Sequence, residues 1–527
     1  MTSPRPPLLA RSAGLTGAAT LASRILGLLR DQVLAAIFGA GNDMDAFIVA
    51  FRIPNLVRDL FAEGAMSAAF VPTFTQRLTL NGKDDAWRLG NNLLSALLIT
   101  TAALVAVGMV FARPLVTLYA EDFSRVPGKV ELTIQLTRMM LPFLTMVAVA
   151  AAVMGMLNSL HHFFVPAIAP ALFNIATIAC AFLLVPVMPW LGLPPITAIA
   201  IGALLGGALQ VLVQWPPLRR EGFRYRFLFD VRDPGLRRVL MLMGPGTIGL
   251  AATQVNLFVN TVLATSQGTG AVSWLSFAFR LMYLPIGLFG VSIATAALPA
   301  VSHYAAVGDE AGIRRTTAQA IAMMMVLNVP ATLGLVTLAD PIVRLLFERG
   351  HFTASDTAST AAALRLYAVG LVGYATARII SPVFYALGRS RVPVAVSLCS
   401  VAINLATNLA LVRVMGFRGL ALGTSLAMLV NGAVLLALLR RRLHGVEDVY
   451  LGVTFAKITF AALVMAVVSA GARTLAVGAL PGAGSLMQAV RLGLAIIAGL
   501  AALAGTAKLL RIQEFDRAVA EARARLM

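Results

Sequence analysis

Residues Ser23–Asp31 read SRILGLLRD, which places two arginines and an aspartate inside the apolar run 13–40. A helix needs about 20 residues to cross the hydrocarbon core of a bilayer, and this run is long enough. Because an ionisable side chain within a span is costly, it usually faces a water-filled cavity or a partner of opposite charge. The stretch therefore predicts a membrane helix whose charged residues have a function.

The composition of the chain also indicates a membrane protein. Of 527 residues, 59% are hydrophobic and 12% are charged, whereas soluble domains carry about 25% charged residues. The net charge is +19. Most of the basic residues lie in short loops between apolar runs, which is the positive-inside pattern, and they are not interleaved with surface aromatic residues. We therefore predict a polytopic membrane protein with no nucleic-acid partner.

Apolar segments of spanning length recur along the whole chain, and we count about 14 of them. Arginine clusters such as Arg219–Arg220 and Arg440–Arg442 lie on one side of the resulting topology, together with both termini. The positive-inside rule predicts that this side is cytoplasmic. The predicted spans are 13–40, 44–76, 87–112, 131–159, 166–188, 194–218, 236–265, 271–304, 312–338, 357–387, 392–414, 418–441, 451–474 and 486–510.

Two halves of the chain repeat the same features in the same order. Ala112–Tyr119 (ARPLVTLY) is similar to Ala339–Leu346 (ADPIVRLL), and Pro166 and Pro393 open corresponding spans. The offset covers six spans, so the halves should share one orientation in the membrane. We predict an all-α protein with two six-helix lobes in parallel repeat and two additional C-terminal helices. The predicted domains are a cytoplasmic tail (1–12), an N-lobe (13–220), a C-lobe (221–445), spans 13 and 14 (446–511) and a second cytoplasmic tail (512–527).

The charges of span 1 recur in span 2 with the same spacing. On a helix, positions seven apart share a face. We therefore expect Arg24 to stack over Asp31, and Arg52 to stack over Asp59 and Asp45. The two copies consist of Arg24, Arg30 and Asp31 in span 1 and of Arg52, Arg58 and Asp59 in span 2.

The remaining arginines of these spans favour an anionic ligand. Arg30 and Arg58 point away from the predicted pairs, and Arg280 lies deep in span 8, in the second lobe. The guanidinium group is always charged, and its planar fork binds phosphate oxygens bidentately. The candidate binding residues for a diphosphate headgroup are Arg24, Arg30, Arg58 and Arg280. The candidate gating or ion-pair residues are Asp31, Asp45, Arg52, Asp59 and Glu63.

Three asparagines in spans 7 and 11 leave two interpretations open. Asn260, Asn404 and Asn408 could offer amide oxygens to Na⁺, or they could form hydrogen bonds between helices. No carboxylate lies beside them in sequence, which favours hydrogen bonding. We find no catalytic motif, no metal-ligand spacing and no GxxxxGK[ST] motif, so we expect a transporter without an ATPase of its own.

Two long segments resemble the signature of a known family. They are Ser23–Pro72 and Gly270–Pro299, and the similarity extends along almost the whole chain. The chain resembles the MurJ (MviN) family of lipid II flippases, in the MOP exporter superfamily. The resemblance implies a V-shaped central cavity between the lobes and a groove for the polyprenyl tail beside spans 13 and 14. It also implies transport of the undecaprenyl-diphosphate-linked peptidoglycan precursor, for cell wall biosynthesis, from the cytoplasmic to the periplasmic leaflet of the bacterial inner membrane.

The resemblance assigns roles to residues of this chain and also shows departures. The functional arginines of the family fall on Arg24, Arg30, Arg58 and Arg280, and its outer acidic residue falls on Asp45. Position 279, often acidic in relatives, is Phe279 here, and two acidic positions linked to Na⁺ coupling are Asn260 and Asn408. We expect no cofactor, with Na⁺ or the membrane potential as the driving force. The expected partners are lipid II, membrane lipids and the cell wall synthesis machinery, and we expect a monomer.

Three alternatives to this function remain open. A flippase for another polyprenyl-diphosphate-linked glycan would need the same arginines. A multidrug exporter of the same superfamily would need carboxylates and aromatic residues in its cavity. A membrane scaffold that transports nothing would keep the repeat but would gain nothing from arginines inside its spans.

Overall fold

The structure is a computed structural model that describes residues 6–61, 65–286, 291–482 and 484–526. Within these ranges, side chains are not described at 6–16, 57–61, 65–68, 244–253, 291–292, 294–296, 518 and 521–526. All secondary-structure elements in the described part of the chain are helices, which confirms the predicted all-α fold. The chain divides into two compact units, Met1–Ser273 with Arg349–Phe352 (unit 1) and Trp274–Glu348 with Thr353–Met527 (unit 2).

Unit 1 contains ten α-helices, and an eleventh begins at its end. These helices are α1 (Pro6–Phe38), α2 (Asn42–Phe61), α3 (Ala65–Leu80), α4 (Lys83–Val110), α5 (Ala112–Ala120), α6 (Lys129–Met140), α7 (Phe143–Ser159), α8 (Phe164–Leu183), α9 (Thr197–Arg220), α10 (Pro234–Thr265) and α11 (Ala271–Pro285).

Unit 2 contains the rest of α11 and nine further helices. These are α12 (Val291–Ala306), α13 (Glu310–Phe347), α14 (Ala354–Val369), α15 (Leu371–Ala386), α16 (Arg391–Met415), α17 (Phe417–Arg442), α18 (Asp448–Ala479), α19 (Ser485–Leu509) and α20 (Gln513–Leu526).

Each predicted span coincides with one helix or with two consecutive helices. Within the described residues, nine helical segments are long and apolar enough to cross a membrane. A tenth is present if α14 and α15, which are bent by 42° relative to each other, count as one span. The polytopic membrane fold is therefore confirmed, and the count of about 14 spans stays a prediction.

The core of unit 1 is aromatic and extends beyond the predicted lobe boundary at residue 220. Phe70, Phe74, Trp87 and Phe223 are all buried, and the Trp87 and Phe223 rings meet edge to face at 5.3 Å. Phe223 follows α9, so this packing draws the chain after residue 220 back into unit 1. The whole of α10 lies in unit 1, and the predicted lobe boundaries stay predictions.

The segment 223–232, which has no regular secondary structure, joins α9 to α10 and is held by polar side chains of α4. The Asn92 side chain accepts from the Asp230 N–H at 2.9 Å and donates to the Asp230 carbonyl at 2.8 Å. Asn91 makes the same kind of pair with Arg226 and Arg224. These contacts satisfy backbone groups that have no helical partner, which explains why a polar patch occurs at the start of an apolar helix.

The end of this segment is fixed by a bidentate ion pair. Arg77 donates to both carboxylate oxygens of Asp233, at 3.1 and 2.7 Å. Asp233 is also the N-cap of α10, because it accepts from the N–H groups of Gly235 and Leu236. Burial raises the pKa of this carboxyl, but the bonds from Arg77, Leu236 and Gly235 outweigh it, and the net pKa lies below its usual range.

We expect Asp233→Asn to destabilise unit 1 by about 2 kcal/mol, because the amide keeps a capping oxygen but loses the charged bond to Arg77. The depressed pKa makes this contribution present above the unfolded-state value of about 3.9 and lost as pH falls through the folded-state value. Melting curves of the purified protein should therefore differ between wild type and variant at pH 7 and converge at acidic pH. Asp84→Ala, at an exposed position of α4, is the control and should change neither curve.

Unit 2 is organised around α13, the longest helix described. This helix bends at Leu338, whose backbone is not helical (φ −103°, ψ 16°). The last two apolar helices, α18 and α19, pack on each other and on α13. Gly499 of α19 allows close approach, since a Cβ atom there would lie 2.0 Å from the Ser469 Oγ of α18. Spans 13 and 14 are therefore an integral part of this unit's core.

Candidate functional site

Asp45 of α2 is the centre of a buried polar cluster in unit 1. Its carboxylate is 0% exposed and accepts from the N–H groups of Gly270 at 2.8 Å and Ser273 at 3.1 Å, and from the Ser273 hydroxyl at 2.7 Å. Gly270 and Ser273 form the start of α11, where backbone N–H groups lack helical partners and the helix dipole favours an anion. Asp45 thus caps α11 from another helix.

Lys129 completes this cluster and was missed by the sequence analysis. Its Nζ donates to Asp45 Oδ2 at 3.0 Å and lies 4.0 Å from the centre of the Phe123 ring. The lysine is 3% exposed, so both charges of the pair are removed from water. A buried ion pair is stable only if each charge lies beside a charge of opposite sign and is hydrogen-bonded. The signal in the sequence was a lone lysine beside Gly128, at the start of an apolar helix on the predicted outer side.

The pairing predicted for span 1 is wrong. Asp31 is paired with its neighbour Arg30, which donates from Nη2 at 2.9 Å and from Nε at 3.2 Å, and not with Arg24. Two helical turns separate residues seven apart by about 10.5 Å, so a shared face does not bring these side chains together. The Arg30 guanidinium also lies 5.4 Å from the centre of the Phe173 ring. A carboxylate and an aromatic ring therefore orient Arg30.

The other charged residues of the first two spans are placed as follows. Arg24 and Arg52 are both half-buried. Asp45 accepts from Lys129 and not from Arg52, so that predicted pair is also wrong. Arg58 and Asp59 lie on α2, but their side chains fall outside the described residues, as does Glu63 altogether. Their predicted roles stay predictions.

In unit 2, Arg280 lies on α11 and is exposed. The preceding residue, Phe279, packs against Tyr367 edge to face at 5.5 Å and stacks with Tyr283 at 6.2 Å. Tyr283 in turn contacts Tyr374. The position that is often acidic in relatives is thus part of an aromatic cluster here. This cluster fixes the helix turn that carries Arg280.

Asn404 and Asn408 are joined by a hydrogen bond within α16, and Asn404 also forms a hydrogen bond to α17. Asn408 donates to Asn404 Oδ1 at 3.0 Å, and Asn404 donates to the Thr424 hydroxyl of α17 at 3.3 Å. Both asparagines are buried, whereas Asn260, in unit 1, is half-buried. Among the residues the structure describes, no cluster of three or more His, Cys, Asp or Glu side chains is placed to hold a metal ion. The geometry supports the hydrogen-bonding interpretation for Asn404 and Asn408.

The predicted binding arginines are divided between the two units. Unit 1 has Arg30, with a defined orientation, and Arg24, which has no ion-pair partner among the described residues. Unit 2 presents Arg280, seven residues after Ser273 on the helix that Asp45 caps. Guanidinium groups held by neighbouring side chains can bind phosphate oxygens without first losing much conformational freedom.

Comparison with known proteins gives concordant results. The family model for lipid II flippase MurJ matches residues 34–484. The chain is 36% identical over 441 residues to a probable lipid II flippase MurJ of Bdellovibrio bacteriovorus, covering 83% of each chain. It is 34% identical over 427 residues to the lipid II flippase MurJ of Burkholderia cenocepacia, covering 80% of this chain and 82% of that one.

Solved structures show the same fold. A lipid II flippase MurJ in an inward closed conformation matches with a TM-score of 0.77 at 24% identity, covering 94% of this chain and 99% of that one. An inward-facing multidrug resistance MATE family transporter of the MOP superfamily matches with a TM-score of 0.67 at 17% identity, covering 81% and 96%. The extent of the family match and the identity to these relatives establish that the chain belongs to the MurJ family.

Proposed function

We propose that this bacterial membrane protein is a lipid II flippase. It moves the undecaprenyl-diphosphate-linked peptidoglycan precursor from the cytoplasmic to the periplasmic leaflet of the inner membrane, by alternating access, for cell wall biosynthesis. The observation that carries this proposal is the family match over residues 34–484, together with relatives named as lipid II flippases at 34–36% identity. The charge distribution supports cytoplasmic placement of both termini.

The diphosphate of the substrate is the group that the arginines recognise. Arg30 and Arg280 bind it directly, with Arg24 and Arg58 as further contacts. Asp31 holds Arg30 in place while no substrate is bound. A dianion competes well with one carboxylate for this guanidinium, because charge-assisted bonds to phosphate are strong and bidentate. When the substrate arrives, its phosphate oxygens replace the Asp31 carboxylate as the partner of Arg30.

The Asp45–Lys129 pair has a positioning role in this mechanism. It fixes the first turn of α11, the helix on which Arg280 lies two turns later. The pair is buried and neutral overall, so it adds no net charge to compete for the substrate. Asp45 and Lys129 thereby set the orientation of Arg280 without contacting lipid II.

The cationic site and the neutral asparagines favour the membrane potential as the driving force. Moving one charge across the membrane yields about 2.3 kcal/mol per 100 mV, and a cationic site returns inward under a potential that is negative inside. The neutral asparagines at the positions linked to Na⁺ coupling in relatives weaken the case for Na⁺. The protein works without an ATPase of its own and as a monomer, and it hands lipid II to the cell wall synthesis machinery.

Complementation tests the proposed function. The full chain, expressed in a bacterium depleted of its own lipid II flippase, should restore growth and cell shape. A strain depleted of a flippase for a different polyprenyl-diphosphate-linked glycan should not be rescued. Rescue of the second strain alone would assign the other glycan as substrate. If the protein reaches the membrane and neither strain recovers, the proposal is wrong.

A further inference from the structure

A cavity in unit 2 is not used by the proposed transport site. It has a volume of about 480 Å³ and lies where α18 and α20 begin. Its lining includes two cationic residues, Lys457 and Arg511, and two carboxylates, Glu447 and Glu514. A site for a simple anion would carry an excess of positive charge. The balanced lining of this cavity fits a ligand that carries one charge of each sign.

The polar groups of the cavity include two that are deeply buried. Glu514 is 5% exposed and accepts a hydrogen bond from the Tyr450 hydroxyl, which ties α20 to α18. Thr454 is also 5% exposed and lines the cavity, and its hydroxyl has no hydrogen-bond partner among the described residues. Lys457 and Arg511 have no ion-pair partner in the same part of the chain. Lys457 is half-buried and Arg511 is exposed, so both cationic groups of the lining can bind a polar ligand that enters the cavity.

The depth of the charges gives the ligand an orientation. Lys457 lies ten residues after Glu447, which is about 15 Å along a helix. α18 starts at Asp448, so Glu447 and Glu514 are near the membrane surface and Lys457 is deeper. The four-carbon stem of a lysine at this depth can extend towards the interface. A ligand with its anionic group on the membrane side and its cationic group on the water side matches this order.

Apolar side chains at the rim indicate a lipid. Val449 and Val453 line the cavity and are 82% and 48% exposed. Both lie on α18, an apolar helix long enough to span the bilayer. Acyl chains can follow this face while the headgroup enters the cavity. A soluble phosphate ester would leave these valines uncovered.

From these observations, we propose that the cavity binds a phosphoethanolamine group, supplied by phosphatidylethanolamine of the leaflet at this end of the bundle. Lys457 and Arg511 bind the phosphate, Thr454 donates a further hydrogen bond, and Glu447 and Glu514 accept from the primary ammonium. A diphosphate lipid fits poorly, because it would face two carboxylates. The site is therefore separate from the transport site, and its assignment does not depend on the proposed function.

Lipid titration of the delipidated full chain, followed by native mass spectrometry, tests this proposal. Phosphatidylethanolamine should bind at least tenfold more tightly than phosphatidylcholine, whose quaternary ammonium cannot donate hydrogen bonds. It should also bind at least tenfold more tightly than phosphatidylglycerol, which has no cation. Soluble O-phosphoethanolamine should bind much more weakly than the lipid. Phosphatidylcholine or phosphatidylglycerol binding as tightly as phosphatidylethanolamine overturns the proposal, and tight binding of the soluble ester overturns the lipid assignment.

Matched variants locate the site. Lys457→Met should lower the affinity for phosphatidylethanolamine about tenfold, the effect of one lost charged bond. Lys508→Met is the control, because Lys508 is exposed at the end of α19 and does not line the cavity. Thr454→Val, which conserves shape, should weaken binding with an unchanged melting temperature. Wild-type affinity in both Lys457→Met and Thr454→Val would place the lipid elsewhere and overturn the proposal.

Discussion

Replacing Lys129 by methionine lowers the free energy of unfolding by about 3–5 kcal/mol, since it leaves the Asp45 carboxylate buried without its counter-charge. Asp45 is 0% exposed, so water cannot replace the ammonium group without opening the cluster. The backbone donors of Gly270 and Ser273 remain, but they cannot neutralise a full charge in a low-dielectric interior. Unfolding of the purified protein in mixed detergent micelles measures the change.

A surface ion pair of the same kind provides the control for this variant. Lys83 donates to Glu221 at 3.0 Å, and its side chain is 54% exposed. Lys83→Met should cost less than about 1 kcal/mol, as is usual for exposed pairs. The double variant Lys129→Met/Asp45→Asn should recover part of the loss, because it removes both charges together. If Lys129→Met lowers the free energy of unfolding no more than Lys83→Met does, the buried pair does not stabilise the fold.

Replacing Arg30 or Arg280 by alanine abolishes transport. Each loses a charge-assisted contact with the diphosphate, and each such contact is worth about 1.5–3 kcal/mol, which corresponds to roughly a 10- to 150-fold change in binding. Arg30→Lys should also fail to restore activity, because an ammonium group cannot reproduce the bidentate fork. Growth of a flippase-depleted strain measures the effect, with the amount of protein in the membrane measured in parallel.

The control for these variants is Arg88→Ala in α4. Arg88 is exposed and is the second residue of the predicted span 87–112, at its cytoplasmic end, so its loss should leave growth unchanged. Variants of Arg30 and Arg280 that accumulate normally in the membrane and still support growth would remove both residues from the substrate site. The amount of each variant in the membrane separates loss of transport from misfolding, because a misfolded variant would not accumulate there.

The sequence predicted the helical fold because apolar runs of spanning length leave little choice of structure. Arg24, Arg30 and Arg280 lie on helices, as the apolar runs around them predict, and their depth in the membrane stays a prediction. The sequence did not predict partners that are distant along the chain. Asp45 and Lys129 are 84 residues apart, and nothing near either residue marks the other.

The pairing of individual side chains also could not be predicted from the periodicity of the sequence. The seven-residue spacing suggested an Arg24–Asp31 pair, but a long side chain can fold back to its immediate neighbour, and Asp31 pairs with Arg30. Nothing near the asparagines of α4 in the sequence marks their partners. They form hydrogen bonds with the segment that follows α9, and this contact depends on the tertiary fold.

Translocation of labelled lipid II in vesicles containing the purified protein tests the central claim, recognition of the diphosphate by arginine, most directly. The wild-type protein should move lipid II between leaflets, faster with a membrane potential applied, and Arg88→Ala should behave in the same way. Arg30→Ala and Arg280→Ala should show no movement above protein-free vesicles. Wild-type translocation rates in either of these two variants, reconstituted in equal amounts, would contradict the account.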